Sequence, residues 1–267
     1  MTADETLQYK NQSIFHVIGF ILVIAVNIMA ERLPINEQRT GEVSDKYANL
    51  LVPAGITFSI WAVIYLTLLG FTVYQLWLAF RGDHPQELTR FMARIKHWWL
   101  VSCLANACWL FAWHYEMLPL SLLLMFLLLV SLVYIHRNFS IWHNGVPWKE
   151  KLFIHFPFSL YLGWISFATI ANITALMVYW GWHGQGISQV AWAVLMISLS
   201  TGLSAYMILQ HQNITFGLVT AWALYGIILK RGYANVIAEH LVIQTCIIAI
   251  GLIAVAISWK WYRQREA

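Results

Sequence analysis

The sequence predicts an all-α integral membrane protein with about eight transmembrane helices. Of its 267 residues, 60% are hydrophobic and 10% are charged, and the mean hydropathy is +0.63. A soluble domain carries about 25% charged residues, so a bilayer rather than water surrounds most of this chain. The apolar residues form runs of roughly 20, the length that a helix needs to cross a membrane.

Each predicted span is an apolar run between polar or turn-forming residues. The first has an acidic and polar flank rather than a basic one, so no cleavable signal peptide is expected. The second begins at Pro53, which suits a first helical turn. The fourth is almost entirely Leu, Met, Val and Phe and is expected to face lipid. Between the third and fourth spans, at 116–118, and between the sixth and seventh, at 211–213, only tight connections are left. The predicted spans are 12–30, 53–80, 97–115, 118–136, 153–179, 187–210, 213–230 and 236–260.

The distribution of basic residues predicts the orientation. Eight spans place both termini on the same side of the membrane, and that side receives 11 of the 16 Lys and Arg residues. Basic residues concentrate on the cytoplasmic side, so both termini are predicted to be cytoplasmic in a multi-pass protein of the cell membrane. The net charge of +4 follows from this topology and does not indicate nucleic acid as a partner.

Tryptophan is unusually frequent, with 15 residues in the chain. Those at the ends of apolar runs are expected in the interfacial belts of the membrane. The seven others lie within the runs or close to their ends and need another explanation. The predicted interfacial residues are Trp98, Trp99, Trp142, Trp148, Trp180, Trp182, Trp259 and Trp261.

The fifth span contains the stretch YLGWISFATIAN, from Tyr161 to Asn172. On a helix, Tyr161, Trp164, Ala168 and Asn172 share one face. An unpaired amide in hydrocarbon costs several kcal/mol. Asn172 is therefore predicted to point at protein, water or a ligand.

Two earlier spans have comparable faces. The third carries Asn106, Trp109 and Trp113 at i, i+3 and i+7, which combines a second membrane amide with two indoles. The second carries Trp61 and Tyr65 at i and i+4, on a polar and aromatic stripe. Both faces are unnecessary for a helix that contacts only lipid.

These motifs resemble the tryptophan-rich sensory protein, or translocator protein, family (TspO/MBR). The fifth-span stretch is similar to that family's Tyr-Leu-Ala-Trp-x-x-Phe-Ala-x-x-Leu-Asn segment. The third-span residues are similar to its Leu-Asn-x-x-Trp segment, and Phe58…Trp61…Tyr65 to its Trp-Thr-x-Leu-Tyr run. The resemblance covers about residues 12–180. It implies a five-helix TspO-like bundle over 1–183, followed by three additional transmembrane helices over 184–267.

The resemblance also implies a pocket between helices that takes a porphyrin, a haem-type tetrapyrrole or a sterol-like molecule, and often a homodimer. The predicted function is binding of a planar hydrophobic ligand in an aromatic intramembrane pocket, as a sensor (a receptor) or a transporter. Two alternatives stay open: photo-oxidative degradation of a bound porphyrin, and a structural or partner-binding scaffold. The predicted ligand-binding residues are Trp61, Tyr65, Asn106, Trp109, Trp113, Tyr161, Trp164, Phe167, Ala168 and Asn172.

No catalytic or metal-binding residues are predicted, because the sequence offers no acid, base and metal set. An enzymatic role is therefore not expected, except for one that uses the photochemistry of a bound ligand. No cofactor is required. Porphyrin or haem is a candidate ligand. His114 and His155 could bind haem iron, but an interfacial anchor is the ordinary role of such residues. Cys103, Cys108 and Cys246 are expected to be small buried apolar residues.

Two further expectations concern packing. The connection Glu31–Leu51 is either a solvated connector or a lid over the mouth of the pocket. In the sixth span, Ser198-x-x-x-Gly202 and Thr201-x-x-x-Ala205 have the spacing of small residues that permits close helix packing.

Overall fold

The computed structural model describes residues 3–33, 35–81, 85–142, 145–181, 186–232 and 237–266. All regular secondary structure in these residues is helical, which confirms the predicted fold class. Trp182, which was predicted at an interface, and the predicted domain boundary at 183/184 lie outside the described residues. The division into 1–183 and 184–267 stays a prediction.

Eleven α-helices occur in the described residues. Short 3-10 helices at Ile35–Glu37 and Gly55–Ser59 precede α2 and α3, and a π-helical segment, Lys151–His155, joins α7 to α8. The α-helices are α1 (Ala3–Arg32), α2 (Thr40–Lys46), α3 (Ile60–Arg81), α4 (Pro85–Ile95), α5 (Trp98–His114), α6 (Leu118–Asn138), α7 (Trp148–Glu150), α8 (Phe156–Tyr179), α9 (Gln189–His211), α10 (Ile214–Arg231) and α11 (Ile237–Glu266).

The helices have the lengths and composition of a multi-pass membrane protein. Seven helical segments of the described chain are long and apolar enough to cross a bilayer. The remaining predicted span is α5, with 17 residues. Its length of about 26 Å at 1.5 Å per residue is slightly below the thickness of the hydrocarbon core. The seven segments are Asp4–Arg32, Gly55–Arg81, Leu118–Asn138, Trp148–Tyr179, Gln189–His211, Ile214–Arg231 and Glu239–Arg263.

Helix α4 was not predicted and lies in the connection between two predicted spans. Its buried residues, Leu88, Phe91, Met92 and Ile95, recur at i, i+3, i+4 and i+7, and its other positions are mostly polar or charged. This is the pattern of an amphipathic surface helix. It packs its apolar face against α1 and α6.

The described chain forms two compact units that alternate along the sequence. The first contains Met1–Arg39 and Trp61–Tyr161, and the second contains Thr40–Ile60 and Leu162–Ala267. Helices α3 and α8 therefore each contribute residues to both units. We describe each unit by itself.

In the first unit, α5 packs between α1 and α6. Its first turn carries Trp99, which is buried against Phe71 and Phe158 with ring centroids 4.9 Å and 5.9 Å away. The indole Nε1 of Trp99 donates to the carbonyl of His16 across 3.1 Å. Trp99 is therefore buried inside the unit, where the α1 carbonyl satisfies its one donor. Its position at the level of the membrane interface stays a prediction. By contrast, Trp148 is exposed.

In the second unit, small residues bring helices close together. A Cβ on Gly163 of α8 would lie 3.1 Å from the Val219 side chain and 3.3 Å from the Phe216 backbone of α10. A Cβ on Gly226 of α10 would lie 2.9 Å from the Cβ of Thr57. Both glycines therefore sit where a neighbouring segment approaches the helix backbone.

The packing predicted for α9 is only partly correct. Ser198 and Gly202 are exposed, and a Cβ on Gly202 would meet no atom within 4 Å, so close packing through this pair is wrong for this chain. Thr201 is buried. The close contact to α10 is made instead by Ser204, whose hydroxyl donates to the Thr220 hydroxyl across 2.7 Å.

Both predicted tight connections are confirmed. Between α5 and α6, Glu116 has a positive φ of 56°, and the Met117 amide donates to the Ala112 carbonyl across 2.8 Å. Between α9 and α10, Gln212 has the same φ of 56°. Asn213 then caps α10 by accepting from the Phe216 amide across 3.0 Å. Left-handed residues and side-chain caps of this kind satisfy the backbone groups that helix ends leave unpaired.

Candidate functional site

The first unit brings six of the ten predicted ligand-binding residues together. Five of them are aromatic and form one group, which we call the aromatic cluster. Trp61 and Tyr65 come from α3, whereas α5 and α8 supply the rest through helical spacings of three and four residues. The aromatic cluster consists of Trp61, Tyr65, Trp109, Trp113 and Tyr161.

The rings of the aromatic cluster contact one another directly. Trp61 stacks on Tyr65 with centroids 5.4 Å apart and planes at 16°. It also lies 6.2 Å from Trp109 and 6.1 Å from Tyr161, the latter edge to face. Trp109 in turn stacks on Trp113 at 6.0 Å. These offsets and angles are those that aromatic pairs prefer.

The sixth residue, Asn106, ties the cluster to α1. Its amide is fully buried and donates to the hydroxyl of Tyr161 across 2.8 Å. Its carbonyl oxygen accepts from the amide of Asn27 across 3.1 Å, and the Asn27 amide also donates to the Val23 carbonyl. A buried amide between helices is stable only with such partners.

Asn27 is a site residue that sequence reasoning missed. It lies in the first apolar run, and no aromatic residues share a helix face with it in a recognisable motif. The available signal was the side-chain amide of Asn27 itself. An amide inside a predicted span requires a hydrogen-bond partner, and this applies to Asn27 as it does to Asn106.

Two polar groups of the aromatic cluster are buried without a hydrogen-bond partner among the described residues. They are the indole Nε1 of Trp109 and the hydroxyl of Tyr65. A buried donor without a partner costs about 1–3 kcal/mol. Trp61 and Tyr65 are half-buried, whereas Trp109, Trp113 and Tyr161 are buried. The accessible surface of the cluster therefore lies on the α3 side.

The other four predicted residues, all on α8, belong to the second unit. Trp164 is buried and packs edge to face on Phe58, with centroids 6.1 Å apart. Phe167 and Asn172 are buried, and Ala168 is half-buried. Within this unit Phe58 was part of a motif but was not among the predicted site residues.

The two candidate haem ligands are both buried. The Nδ1 of His114 lies 2.7 Å from the carbonyl of Leu110, one turn earlier, so this nitrogen must donate. The Nδ1 of His155 accepts from the backbone amide of Trp142 across 2.9 Å. Each imidazole is thus hydrogen-bonded to a backbone group through its Nδ1. Neither is the solvent-side anchor that an interfacial histidine would be.

The structure also describes the cysteines and the potential metal ligands. Cys103 and Cys246 are buried, as expected, but Cys108 is exposed on α5, and all three are free. A small thiol on a helix surface that faces lipid is compatible with its apolar character. In the part of the chain that the structure describes, no three His, Cys, Asp or Glu side chains converge as metal ligands would.

The connection Glu31–Leu51 is anchored in both units. In the first, the Asn36 amide donates to the His114 carbonyl across 2.9 Å. In the second, Asp45 pairs with Lys230 at 2.8 Å, and Arg231 donates to the carbonyl of Asn49. The connection is thus ordered by specific contacts and includes the unpredicted helix α2. Its role as a lid stays a prediction.

Among protein-family models, the chain matches a model described as TSPO-like protein over residues 13–259. The matched region includes α9, α10 and most of α11, so the three C-terminal helices lie inside the family pattern. Searches of curated proteins and of solved structures each gave no significant match. With nearly the whole chain matched, and with the all-helical membrane architecture and the aromatic helix faces described above, this protein belongs to the TSPO-like family.

Proposed function

We propose that this protein binds a planar hydrophobic ligand, of the porphyrin or sterol-like class, at the aromatic cluster. The observation that carries the proposal is the group of five aromatic rings around the buried amide of Asn106. Indole and phenol faces stack on conjugated or polycyclic molecules. Sensing and transport both begin with this binding step, and a porphyrin or haem would be the ligand rather than a required cofactor.

The half-buried rings suggest how the ligand would enter. Trp61 and Tyr65 keep accessible surface, so a flat ligand would stack there first. An acceptor atom on the ligand would pair with the indole Nε1 of Trp109, which has no hydrogen-bond partner in the part of the chain that the structure describes. Such a contact would offset part of the cost of that buried donor. The predicted residues Trp164, Phe167, Ala168 and Asn172 remain candidates for further ligand contacts.

Titration with protoporphyrin IX tests this proposal. The full-length protein in lipid nanodiscs is mixed with the porphyrin, and the shift of its main absorption band is followed. We expect Trp61→Ala to weaken binding by about tenfold, because a stacked aromatic pair contributes about 0.5–1.5 kcal/mol beyond its buried area. Trp259→Ala, at an exposed position on α11, is the matched control. Equal affinities for the two variants would remove the aromatic cluster as the binding site.

Photo-oxidative degradation of the bound porphyrin is a second candidate. It is favoured by the row of three indoles, Trp61, Trp109 and Trp113, with centroids 6.2 Å and 6.0 Å apart. Illumination of the loaded protein, followed by absorption spectroscopy, separates this activity from binding alone. If free porphyrin in detergent bleaches at the same rate to the same products, the protein does not catalyse the reaction.

A structural role is favoured by a different observation. The rings contact each other directly, and both polar groups of Asn106 are hydrogen-bonded within the protein. For a purely structural cluster, Trp61→Ala would lower the unfolding temperature and leave porphyrin affinity unchanged. Measuring both quantities on the same preparation distinguishes a scaffold from a binding site. The expected homodimer is tested on that preparation by mass measurement in mild detergent.

A further inference from the structure

The first unit also contains an apolar cavity whose lining includes none of the aromatic-cluster residues. An apolar groove of about 470 Å³ runs along α3 beside the π-helical segment that precedes α8. This volume is within the range of small-molecule sites, which is about 300–1,000 Å³. We call it the α3 groove. Its walls include Leu66, Leu69, Val73 and Phe153, and it ends at Tyr74 and Trp77.

The α3 groove opens on an exposed apolar face of α3. Leu66, Leu69 and Val73 are exposed on a helix that is apolar enough to cross the bilayer. From Leu66 to Trp77 the helix rises about 16 Å, which is about the depth of one leaflet of the hydrocarbon core. Gly70 leaves room in the middle of the groove, where a Cβ would lie 3.4 Å from the Phe153 ring.

Aromatic rings and a lysine close the end of the groove. Tyr74 stacks on Phe153 with centroids 5.4 Å apart and on Trp77 at 6.1 Å. The ammonium of Lys149 lies 4.7 Å from the centroid of the Trp77 ring, and Arg81 lies 5.7 Å from it. Tryptophan, tyrosine and basic residues are typical of the level of lipid headgroups.

A polar cleft of about 180 Å³ begins where the groove ends. The two cavities share Tyr74, Trp77 and Lys149 in their linings. The cleft adds Arg90 and Arg94 from α4, and the carboxylates of Glu87 and Glu150. An apolar channel therefore leads directly into a space lined by three cations and two anions.

The charges in the cleft leave two cations available. Arg94 is paired with Glu150 at 2.8 Å, and Glu150 also lies 3.8 Å from the Nε2 of His155. Lys149 and Arg90 have no acidic partner among the described residues. Both are exposed, so they can reach an anion at the mouth of the cleft.

We propose that the α3 groove and the polar cleft together hold one anionic phospholipid. One acyl chain lies along Leu66, Leu69 and Val73, and the phosphate lies between Lys149 and Arg90. The occupant is a bilayer lipid because the groove opens on the lipid-facing side of α3 and spans one leaflet. It is an anionic lipid because the cations at the headgroup level exceed the carboxylates. Basic pockets between membrane helices bind anionic headgroups in this way.

Quenching by brominated lipids tests this proposal. The full-length protein is placed in nanodiscs of phosphatidylcholine that contain increasing fractions of a dibrominated-chain lipid. The difference in fluorescence between wild type and Trp77→Phe isolates the signal of Trp77. We expect dibrominated phosphatidylglycerol to quench that signal at about tenfold lower mole fraction than dibrominated phosphatidylcholine. Equal quenching by the two lipids would overturn the proposal.

Charge variants and a soluble competitor sharpen the test. The double variant Lys149→Gln/Arg90→Gln is expected to lose the preference for phosphatidylglycerol. Lys151→Gln removes a charge two residues from Lys149, at an exposed position outside both linings, and is expected to keep the preference. Loss of the preference in both variants would attribute it to general surface charge and overturn a specific site. Displacement of the brominated phosphatidylglycerol by inorganic phosphate at matched ionic strength would also overturn the proposal, because the cleft would then be a site for soluble anions.

Discussion

The amide of Asn106 on α5 and the hydroxyl of Tyr161 on α8 are joined by a buried hydrogen bond of 2.8 Å. Tyr161 lies in a segment that is long and apolar enough to cross a bilayer, and Asn106 lies in the shorter predicted span α5. Both side chains are buried, so water is not available as an alternative partner. Asn106 also accepts from Asn27, so three helices meet at this one amide.

A double-mutant cycle measures this bond. We expect Asn106→Ala and Tyr161→Phe each to lower the free energy of unfolding by about 1–3 kcal/mol, because each leaves a buried polar group unpaired. The coupling energy between the two sites is expected to be about 0.6–1.7 kcal/mol, as for other hydrogen bonds between membrane helices. Unfolding in mixed micelles gives the four values. Strict additivity would show that the two groups do not stabilise each other.

Gly226 is expected to tolerate no larger residue. In Gly226→Ala the new methyl group meets Thr57, so overpacking should lower the free energy of unfolding by about 1–3 kcal/mol. Gly202→Ala is the matched control, since its methyl group would meet open space. That variant should be neutral or stabilising, because alanine favours helix by about 1 kcal/mol over glycine. Similar unfolding temperatures for both variants would contradict the close approach of Thr57.

Two neighbouring basic residues at the end of α10 should differ in importance. Lys230 pairs with Asp45 through side chains that are 35% and 53% exposed, and surface pairs of this kind contribute at most about 1 kcal/mol. The Arg231 side chain is only 15% exposed and donates to the Asn49 carbonyl across 2.6 Å. We therefore expect Arg231→Ala to cost about 1.5–3 kcal/mol, and Asp45→Asn much less. Chemical unfolding of the two variants checks the order, and the reverse order would be inconsistent with these contacts.

The proposed topology places both termini in the cytoplasm. Reporter fusions test it. A fluorescent protein fused to either terminus should fluoresce in the cytoplasm, whereas alkaline phosphatase inserted at Glu116, between α5 and α6, should be active outside. Activity of the phosphatase at a terminus would reverse the orientation. Different locations for the two termini would mean an odd number of spans.

The lid prediction has a kinetic test. Replacing Asn36–Ser44 by a short Gly/Ser linker removes the contacts of Asn36 with His114 and of Gln38 with Glu116. We expect faster association and faster dissociation of protoporphyrin IX, measured by stopped-flow absorption. Unchanged rates would make the segment a connector only.

The membrane class and the order of the spans were predictable because hydropathy over about 20 residues depends on composition alone. Helix α4 was missed because its segment, only 11 residues long, is rich in charge. Its apolar residues at i, i+3, i+4 and i+7 carried the signal nevertheless. For α9 the error has another origin. Small residues occur on more than one face of that helix, and sequence cannot decide which face turns towards α10.

The residues of the aromatic cluster were predictable for a similar reason. Asn106, Trp109 and Trp113 share a helix face, and that face had to meet something other than lipid. The sequence could not predict that Trp61 would stack on Tyr65 and contact Trp109, because ring contacts depend on helix rotation and rotamers. Trp99 shows the same limit, since its position at a helix end suited an interfacial residue but its indole is bonded to α1.

The short length of α5 has a consequence for biogenesis. At its last residue, the His114 carbonyl accepts from Asn36, and just before its start, the Lys96 carbonyl accepts from Gln12 across 3.4 Å. The carbonyl at the last residue of α5 and the carbonyl of Lys96, before its N-terminus, thus accept from the segment after α1 and from α1. Without Asn36, the His114 carbonyl at the end of α5 would lose this partner, which is costly in or near hydrocarbon. The stable insertion of α5 is therefore expected to depend on the segment that follows α1.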